Sequence, residues 1–172
     1  MQPNYPPQYW HQIKLDDYII FEYLRKDKGG GGLLTAVHKS LKPVSISEDD
    51  DVEILVVEGN INDRKTRFVN GYGPQETCND ETREKFFKTI EVKSSKLAGA
   101  LVCIELDANS KLGSTIMNGD PEKEPSKNGE LLRKVVEEND LIVVNATKLC
   151  KETITRYKKL YKERRKVLLT IS

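Results

Sequence analysis

Residues 100–109 read ALVCIELDAN, an apolar run that ends in three polar residues spaced by two. Its length and its content of Leu, Val and Ile are typical of a buried β-strand. Because side chains alternate between the two faces of a strand, Glu105, Asp107 and Asn109 share one face and the residues between them share the other. The stretch therefore predicts a strand with one face in a core and a polar face at its carboxyl end.

The polar end of this strand suggests a site. Polar side chains cost free energy if they are buried without partners, and a site that uses them would explain their presence. Carboxylate and amide oxygens suit Mg²⁺, which accepts one or two protein carboxylates together with waters and substrate phosphate. The alternative is that the strand simply ends there, with its polar residues capping a turn into Gly113. The residues alone leave both interpretations open.

A second candidate group follows another apolar run, where residues 71–74 read GYGP. This turn would place the hydroxyl of Tyr72 at the rim of a sheet, where it can donate to a phosphate oxygen. The alternative is that Tyr72 packs as an amphipathic aromatic side chain at a sheet edge.

Further strands and two helices are predicted around these groups. The apolar runs of strand length are residues 19–23, 33–37, 52–57, 67–72, 141–144 and 167–171. Amphipathic segments predict one helix over 81–96, capped by Asn79 or Asp80, and another over 129–138, capped by Asn128. Long connections with two helices favour a layered α/β sandwich with mixed strand pairing over a regular βαβ repeat.

Length and composition predict one domain and an intracellular location, cytoplasmic or nuclear. The 172-residue chain has no run approaching the roughly 18 apolar residues that a membrane span needs. Residues 1–10 lack the basic start and apolar block of a secretory signal, so we expect neither secretion nor a membrane partner. Cys78, Cys103 and Cys150 lie far apart, which argues against a disulfide framework or a zinc site.

The positive charge is concentrated near the carboxyl end of the sequence. Residues 148–166 contain nine Lys or Arg against two Glu, a local net charge of +7 on a chain of net charge +1. A nucleic-acid-binding face is one interpretation, and a solvated loop is the other. The residues expected to contact a nucleic-acid backbone are Arg156, Lys158, Lys159, Lys162, Arg164 and Arg165.

Several motifs in order resemble the endonuclease/exonuclease/phosphatase superfamily, and especially the endonuclease domains of non-LTR retrotransposons. Residues 31–38 (GGLLTAVH) are similar to a glycine-led strand of that group, and residues 70–74 (NGYGP) to its N-x-Y-x-P strand end. Residues 106–113 (LDANSKLG) resemble its GDFNAKLG motif. The matches continue through NGELL at 128–132, NDL at 139–141 and TITR at 153–156.

This resemblance implies a DNase I-like two-sheet sandwich flanked by helices (a four-layer αββα fold) and Mg²⁺-dependent phosphodiester hydrolysis. Asp107 would position or deprotonate the attacking water, Asn109 would bind the scissile phosphate, and Tyr72 would donate to a phosphate oxygen. Asp107 would be the metal ligand, with Glu105 as an alternative acidic ligand. Supporting polar groups would be Asn70, Asn145 and Thr155. DNA would be the substrate, and a larger polyprotein with reverse transcriptase the natural context.

The sequence also departs from the family pattern. Residues 1–17 lack the early strands whose Gln-Glu pair supplies a metal ligand, and Gln75-Glu76 stands after the tyrosine strand instead. Leu169 occupies the place of an expected Asp, and no Ser-Asp-His follows it. We therefore expect a partial domain over 18–172 that lacks amino- and carboxyl-terminal strands, residues 1–17 outside it, and impaired cleavage.

Two alternatives remain beside the nicking endonuclease. One is an inactive derivative that binds nucleic acid through residues 148–166, and the other is a phosphatase-type member of the same fold.

Overall fold

The computed structural model describes residues 15–25, 32–48, 51–95, 100–113, 124–143 and 167–171, with the backbone alone for 45–48 and 167–171. The strands are β1 (Tyr18–Leu24), β2 (Gly32–His38), β3 (Ser45–Glu48), β4 (Ile54–Ile61), β5 (Arg64–Tyr72), β6 (Leu101–Asp107), β7 (Leu141–Val143) and β8 (Val167–Ile171). The α-helices are α1 (Asp80–Ser94) and α2 (Lys127–Glu138), and Lys39–Leu41 forms a short 3-10 helix.

The strands form two sheets. β1 and β2 pair in an antiparallel two-stranded sheet, and the other six form a sheet of order β3-β4-β5-β6-β8-β7. In that sheet β3, β4 and β5 are antiparallel, whereas β5, β6, β8 and β7 are parallel. The mixed pairing predicted from the sequence is thus confirmed.

A tight hairpin joins β4 to β5. Ile61 pairs with Arg64, so Asn62 and Asp63 form a two-residue turn, and both have positive φ (49° and 61°). Asn and Asp tolerate this conformation, which matches the twist of the flanking strands. Because the turn fixes how the two strands pair, their hydrogen bonding continues over polar residues. β4 and β5 therefore extend beyond the apolar runs predicted for them.

Helix α1 begins where the sequence predicted. The side chain of Asn79 accepts a hydrogen bond from the backbone N–H of Thr82 at 2.8 Å, which identifies Asn79 as the cap. Its inner face buries Phe86, Phe87 and Ile90. The helix ends at Ser94, two residues before the predicted end.

The predicted cap of α2 was wrong. Ser126 is the cap, because its Oγ accepts from the N–H of Gly129 at 3.2 Å. Asn128 lies inside the first turn with a fully buried side chain. Ser and Asn are both good capping residues, so local sequence could not decide between them.

Two clusters of buried side chains define three layers. One cluster joins both helices to β4, β5 and β6 through residues such as Phe86, Ile90, Leu106 and Leu132. The second packs β1 and β2 against the opposite face of β4 and β5 through residues such as Tyr23, Leu33, Val37, Leu55 and Val57. The order is therefore a helix layer, the six-stranded sheet and the two-stranded sheet.

The described part of the chain shows two further features. Strand β3 was not predicted, because four residues with a single large apolar side chain carry little periodic signal. Neither described helix is long and apolar enough to cross a lipid bilayer. The domain boundaries at residue 17 and the intracellular location stay predictions.

Candidate active site

The ends of β5 and β6 bring the predicted catalytic residues together. These strands are parallel neighbours whose register pairs Tyr72 with Asp107. The ladder continues by one residue, since the N–H of Gly73 donates to the carbonyl of Asp107 at 2.7 Å. Carboxyl ends of adjacent parallel strands form one edge, which is where ligands bind in open α/β sheets.

The chain turns sharply after β6, at Asn109. Its φ of 45° is a left-handed conformation that Asn adopts more readily than most residues. The backbone N–H of Asn109 donates to Oδ1 of Asp107 at 3.2 Å, and its side-chain Nδ2 donates to the carbonyl of Gly73 at 2.7 Å. The interpretation as a turn and the interpretation as a site are therefore both compatible with the structure. The turn itself orients the side chains of Asp107 and Asn109.

Gly73 lets the two loops approach each other. A Cβ added there would lie 2.8 Å from the carbonyl oxygen of Ala108, closer than real Cβ atoms come to a backbone oxygen. A larger residue would push the β5 loop away from the β6 loop and separate Tyr72 from Asn109.

Gln75 connects Tyr72 and Asn109 directly, a role the sequence did not reveal. Its Nε2 lies 3.1 Å from the hydroxyl oxygen of Tyr72 and 3.3 Å from Oδ1 of Asn109. Because the tyrosine oxygen accepts here, its own O–H is left to donate to another group. The exposed position of Gln75 just after the N-x-Y-x-P turn was the one available signal.

Arg25 was also missed. Its guanidinium carbon lies 5.8 Å from the centroid of the Tyr72 ring, and its Nη2 pairs with Oε2 of Glu53 at 2.6 Å. Glu53 also accepts the backbone N–H of Tyr72 through its carbonyl at 3.0 Å. Arg25 is one of three basic residues that follow β1, with Lys26 and Lys28, and no sequence pattern places it at this edge.

Asn128 supports the site from beneath. Its Nδ2 donates to the carbonyls of Pro74 at 2.7 Å and Asn109 at 3.0 Å and lies 3.4 Å from that of Ala108. Its backbone N–H donates to Oε1 of Glu76 at 3.1 Å. One fully buried amide therefore fixes α2 to both loops of the candidate site. The carboxamide orientation is determined, because a flip would turn its oxygen toward carbonyl oxygens.

Asn70 and Glu105 lie further back from the edge. They pair in register two residues before Tyr72 and Asp107, about 7 Å along the strands. Nδ2 of Asn70 donates to the carbonyl of Leu34 at 3.1 Å and to Oγ1 of Thr35 at 3.2 Å, which ties β5 to β2. Glu105 is exposed, as the predicted alternation requires, and both residues line a cleft of about 510 Å³ between the sheets.

Cys103 lines the same cleft but is unsuited to nucleophilic chemistry. Burial raises the pKa of its thiol from 9.0 to about 11, so it stays protonated at neutral pH. A thiol is a weak nucleophile in this form.

The donor set at the edge fits a hard cation. At the edge Asp107 offers carboxylate oxygens and Asn109 an amide oxygen, the ligand types that Mg²⁺ takes along with waters and phosphate. In the part of the chain that the structure describes, no group of three or more His, Cys, Asp or Glu could hold a metal.

Several predicted residues fall outside the described ranges. They are Asn145 and Thr155, expected to support the site, and the whole basic segment Arg156, Lys158, Lys159, Lys162, Arg164 and Arg165. Their roles stay predictions.

Comparisons with known proteins bear on the fold. No protein-family model matches the chain, and no curated protein matches it. Among solved structures it is similar to the endonuclease domain of TRAS1, a telomere-specific non-LTR retrotransposon, with a TM-score of 0.50 and 17% sequence identity. The match covers 76% of this chain and 56% of the TRAS1 endonuclease domain. This chain therefore spans just over half the length of that domain. The fold resemblance predicted from the motifs is confirmed.

Proposed function

We propose that this chain carries the phosphodiester-hydrolysing site of a Mg²⁺-dependent DNA-nicking endonuclease of the retrotransposon type. The observation that carries the proposal is the register of β5 and β6, which sets Tyr72 beside Asp107. Gln75 then links Tyr72 to Asn109. Three residue types suited to phosphate chemistry thus meet at one partly exposed sheet edge.

Each side chain has a role that its contacts allow. Asp107 orients the attacking water and accepts its proton. The hydroxyl of Tyr72 donates to a phosphate oxygen, since its oxygen already accepts from Gln75. Asn109 has a second side-chain N–H beyond the one that donates to Gly73, and it binds another phosphate oxygen. Donors held in place before the reaction stabilise negative charge as it develops in the transition state.

Asp107 would hold Mg²⁺, with Glu105 further back on the same strand face only as an alternative acidic ligand. When bound, the ion supplies positive charge next to the scissile phosphate. We expect slow cleavage from this chain, because the described residues bring few carboxylates together at the site. When catalytic groups act as a unit, the reaction loses most of its rate if members of the unit are missing.

The larger setting belongs to the same proposal. The three described layers would be part of a four-layer αββα sandwich, and the partner would be DNA within a polyprotein that also carries reverse transcriptase. The likeness to a retrotransposon endonuclease domain supports this setting.

A nicking assay on supercoiled plasmid tests the proposal. We expect open-circular product with Mg²⁺ and none with EDTA, and Tyr72→Phe should lower the rate about 10²-fold, as removal of an oxyanion donor does. Tyr18→Phe is the matched control, because Tyr18 is 43% exposed and begins β1 at the end opposite Arg25, and it should cut like the wild type.

Two results would count against the proposal. Equal cutting in EDTA would exclude a metal requirement, and an unchanged rate in Tyr72→Phe would remove Tyr72 from the site. The second candidate function, nucleic-acid binding without cleavage, is favoured by the small carboxylate set among the described residues. Salt-sensitive retention of uncut DNA on a filter would support it.

A further inference from the structure

Arg25 is a basic residue of the described ranges that contacts the candidate site. Its contacts do not account for it as a packing residue. Its side chain is 21% exposed and its partner Glu53 is 24% exposed, so both are partly removed from water. The Nε atom of Arg25 is buried and has no hydrogen-bond partner among the described residues. A half-buried guanidinium with one donor unused is costly unless something else binds it.

Two other arginines of the described ranges have evident structural tasks, whereas Nε of Arg133 on α2 is, like that of Arg25, buried without a hydrogen-bond partner. Arg83 is almost fully buried and donates to the carbonyls of Glu76 and Cys78, both at 2.6 Å. Arg67 donates to Glu58 at 2.8 Å and to the carbonyl of Lys93 at 2.9 Å. Arg25 instead has one ion pair and the face of the Tyr72 ring.

The three residues Arg25, Glu53 and Tyr72 act as one unit that joins different parts of the fold. Arg25 directly follows β1, Glu53 precedes β4, and Tyr72 ends β5. The backbone of Glu53 holds Tyr72, and its carboxylate holds the guanidinium over the tyrosine ring. The guanidinium is therefore held over the ring whose hydroxyl the proposed function assigns to a phosphate.

We propose that Arg25 is a phosphate-binding residue of this site, with Glu53 holding one end of its guanidinium. The inference rests on the proposed function and adds a second phosphate contact to it. A guanidinium has five N–H donors in a planar fork that suits phosphate, so one end can stay on Glu53 while the other binds a phosphate oxygen. Glu53 aligns the fork but also repels the incoming phosphate.

This role predicts opposite effects of two substitutions. Arg25→Gln removes the cation and leaves Glu53 facing the phosphate, so DNA affinity should fall roughly tenfold, as for loss of one charge-assisted contact. Glu53→Gln removes the competing carboxylate and should raise the affinity. A purely structural ion pair predicts weaker or unchanged binding in both variants.

The test is fluorescence anisotropy with a short labelled DNA duplex, in EDTA to prevent cleavage and over a range of salt concentrations. For Arg25→Gln the slope of log K against log salt should decrease in magnitude by about 1, the change expected when one phosphate contact is lost. Arg25→Lys keeps the charge and should retain the slope. Lys88→Gln, which removes an exposed cation of α1 paired with Glu91, is the control and should change neither slope nor affinity.

The outcomes separate this inference from the proposed function. Wild-type affinity and slope in Arg25→Gln would overturn the inference alone, provided that the wild type binds DNA. Parallel losses of affinity and melting temperature in Arg25→Gln and Glu53→Gln would also overturn it, in favour of a structural ion pair. No DNA binding by the wild type would overturn the proposed function and the inference together.

Discussion

Replacing Asn128 by Ala should destabilise the protein more than any exposed substitution. The side chain is fully buried, and its Nδ2 makes short hydrogen bonds to the carbonyls of Pro74 at 2.7 Å and Asn109 at 3.0 Å. Alanine would leave both partly buried carbonyls without this donor. The contact to Ala108 at 3.4 Å is too long to add much.

The size of the effect follows from those two bonds. A polar group left unpaired costs about 1–3 kcal/mol when it is buried, and these two carbonyls are partly buried, so the free energy of unfolding should fall by about 3 kcal/mol. For a chain of this length, each kcal/mol lowers the melting temperature by roughly 2–4 °C, which gives about 6–12 °C. Asn128→Asp keeps the shape but replaces the donor by an acceptor, so its loss at neutral pH should exceed that of alanine.

Thermal and urea unfolding followed by circular dichroism measure these differences. Asn139→Ala is the matched control at the other end of α2, where Nδ2 makes one bond to the carbonyl of Val135 at 3.0 Å. We expect it to cost about 1 kcal/mol. If Asn128→Asp were as stable as the wild type, or if both alanine variants lost the same amount, Asn128 would not hold the two loops as described.

Three further substitutions test other contacts of the fold and of the site. Gly129→Ala should strongly lower the melting temperature, although Gly→Ala in a helix usually stabilises by about 1 kcal/mol, because the added Cβ would lie 1.9 Å from a backbone oxygen of the β6 loop; a gain in stability would contradict this close approach. Asn109→Gly keeps the left-handed backbone and removes the amide, so plasmid nicking should be lost with less destabilisation than in Asn109→Ala; equal melting temperatures would show that φ imposes no strain. Hydrogen bonds from Lys65 and Arg67 hold the pKa of Glu58 below its usual value, so its contribution to stability is present at neutral pH and disappears as pH falls through that lowered pKa. Glu58→Gln should therefore melt lower than the wild type at neutral pH and converge with it in acid, and a constant difference would argue against the ion pair as the cause.

The sequence predicted the centre of the fold because that centre is periodic. Alternation along residues 100–109 placed the polar face of β6 correctly, and the side chains of Leu106 and Ala108 are buried as expected. The parallel pairing of β5 with β6 then brought Tyr72 and Asp107 together. Strand ends that share one sheet edge need no long-range information beyond the pairing itself.

The remaining site residues depend on contacts between distant segments. Gln75 reaches Asn109 across 34 positions, and Asn128 reaches Pro74 across 54. Arg25 meets Glu53 across 28 positions, at the junction of the two sheets. Each is a single polar residue without a local pattern, so its role became visible only when the loops were placed side by side.

The most direct test of the proposed site at the ends of β5 and β6 compares two carboxylates on one strand face. Nicking of supercoiled plasmid in Mg²⁺ should be abolished in Asp107→Asn, because Asp107 pairs with Tyr72 at the sheet edge. Glu105→Gln should keep most of the activity, since Glu105 pairs with Asn70 about 7 Å further back. Wild-type nicking by Asp107→Asn, with both variants melting like the wild type, would contradict the assignment of the site to the ends of β5 and β6.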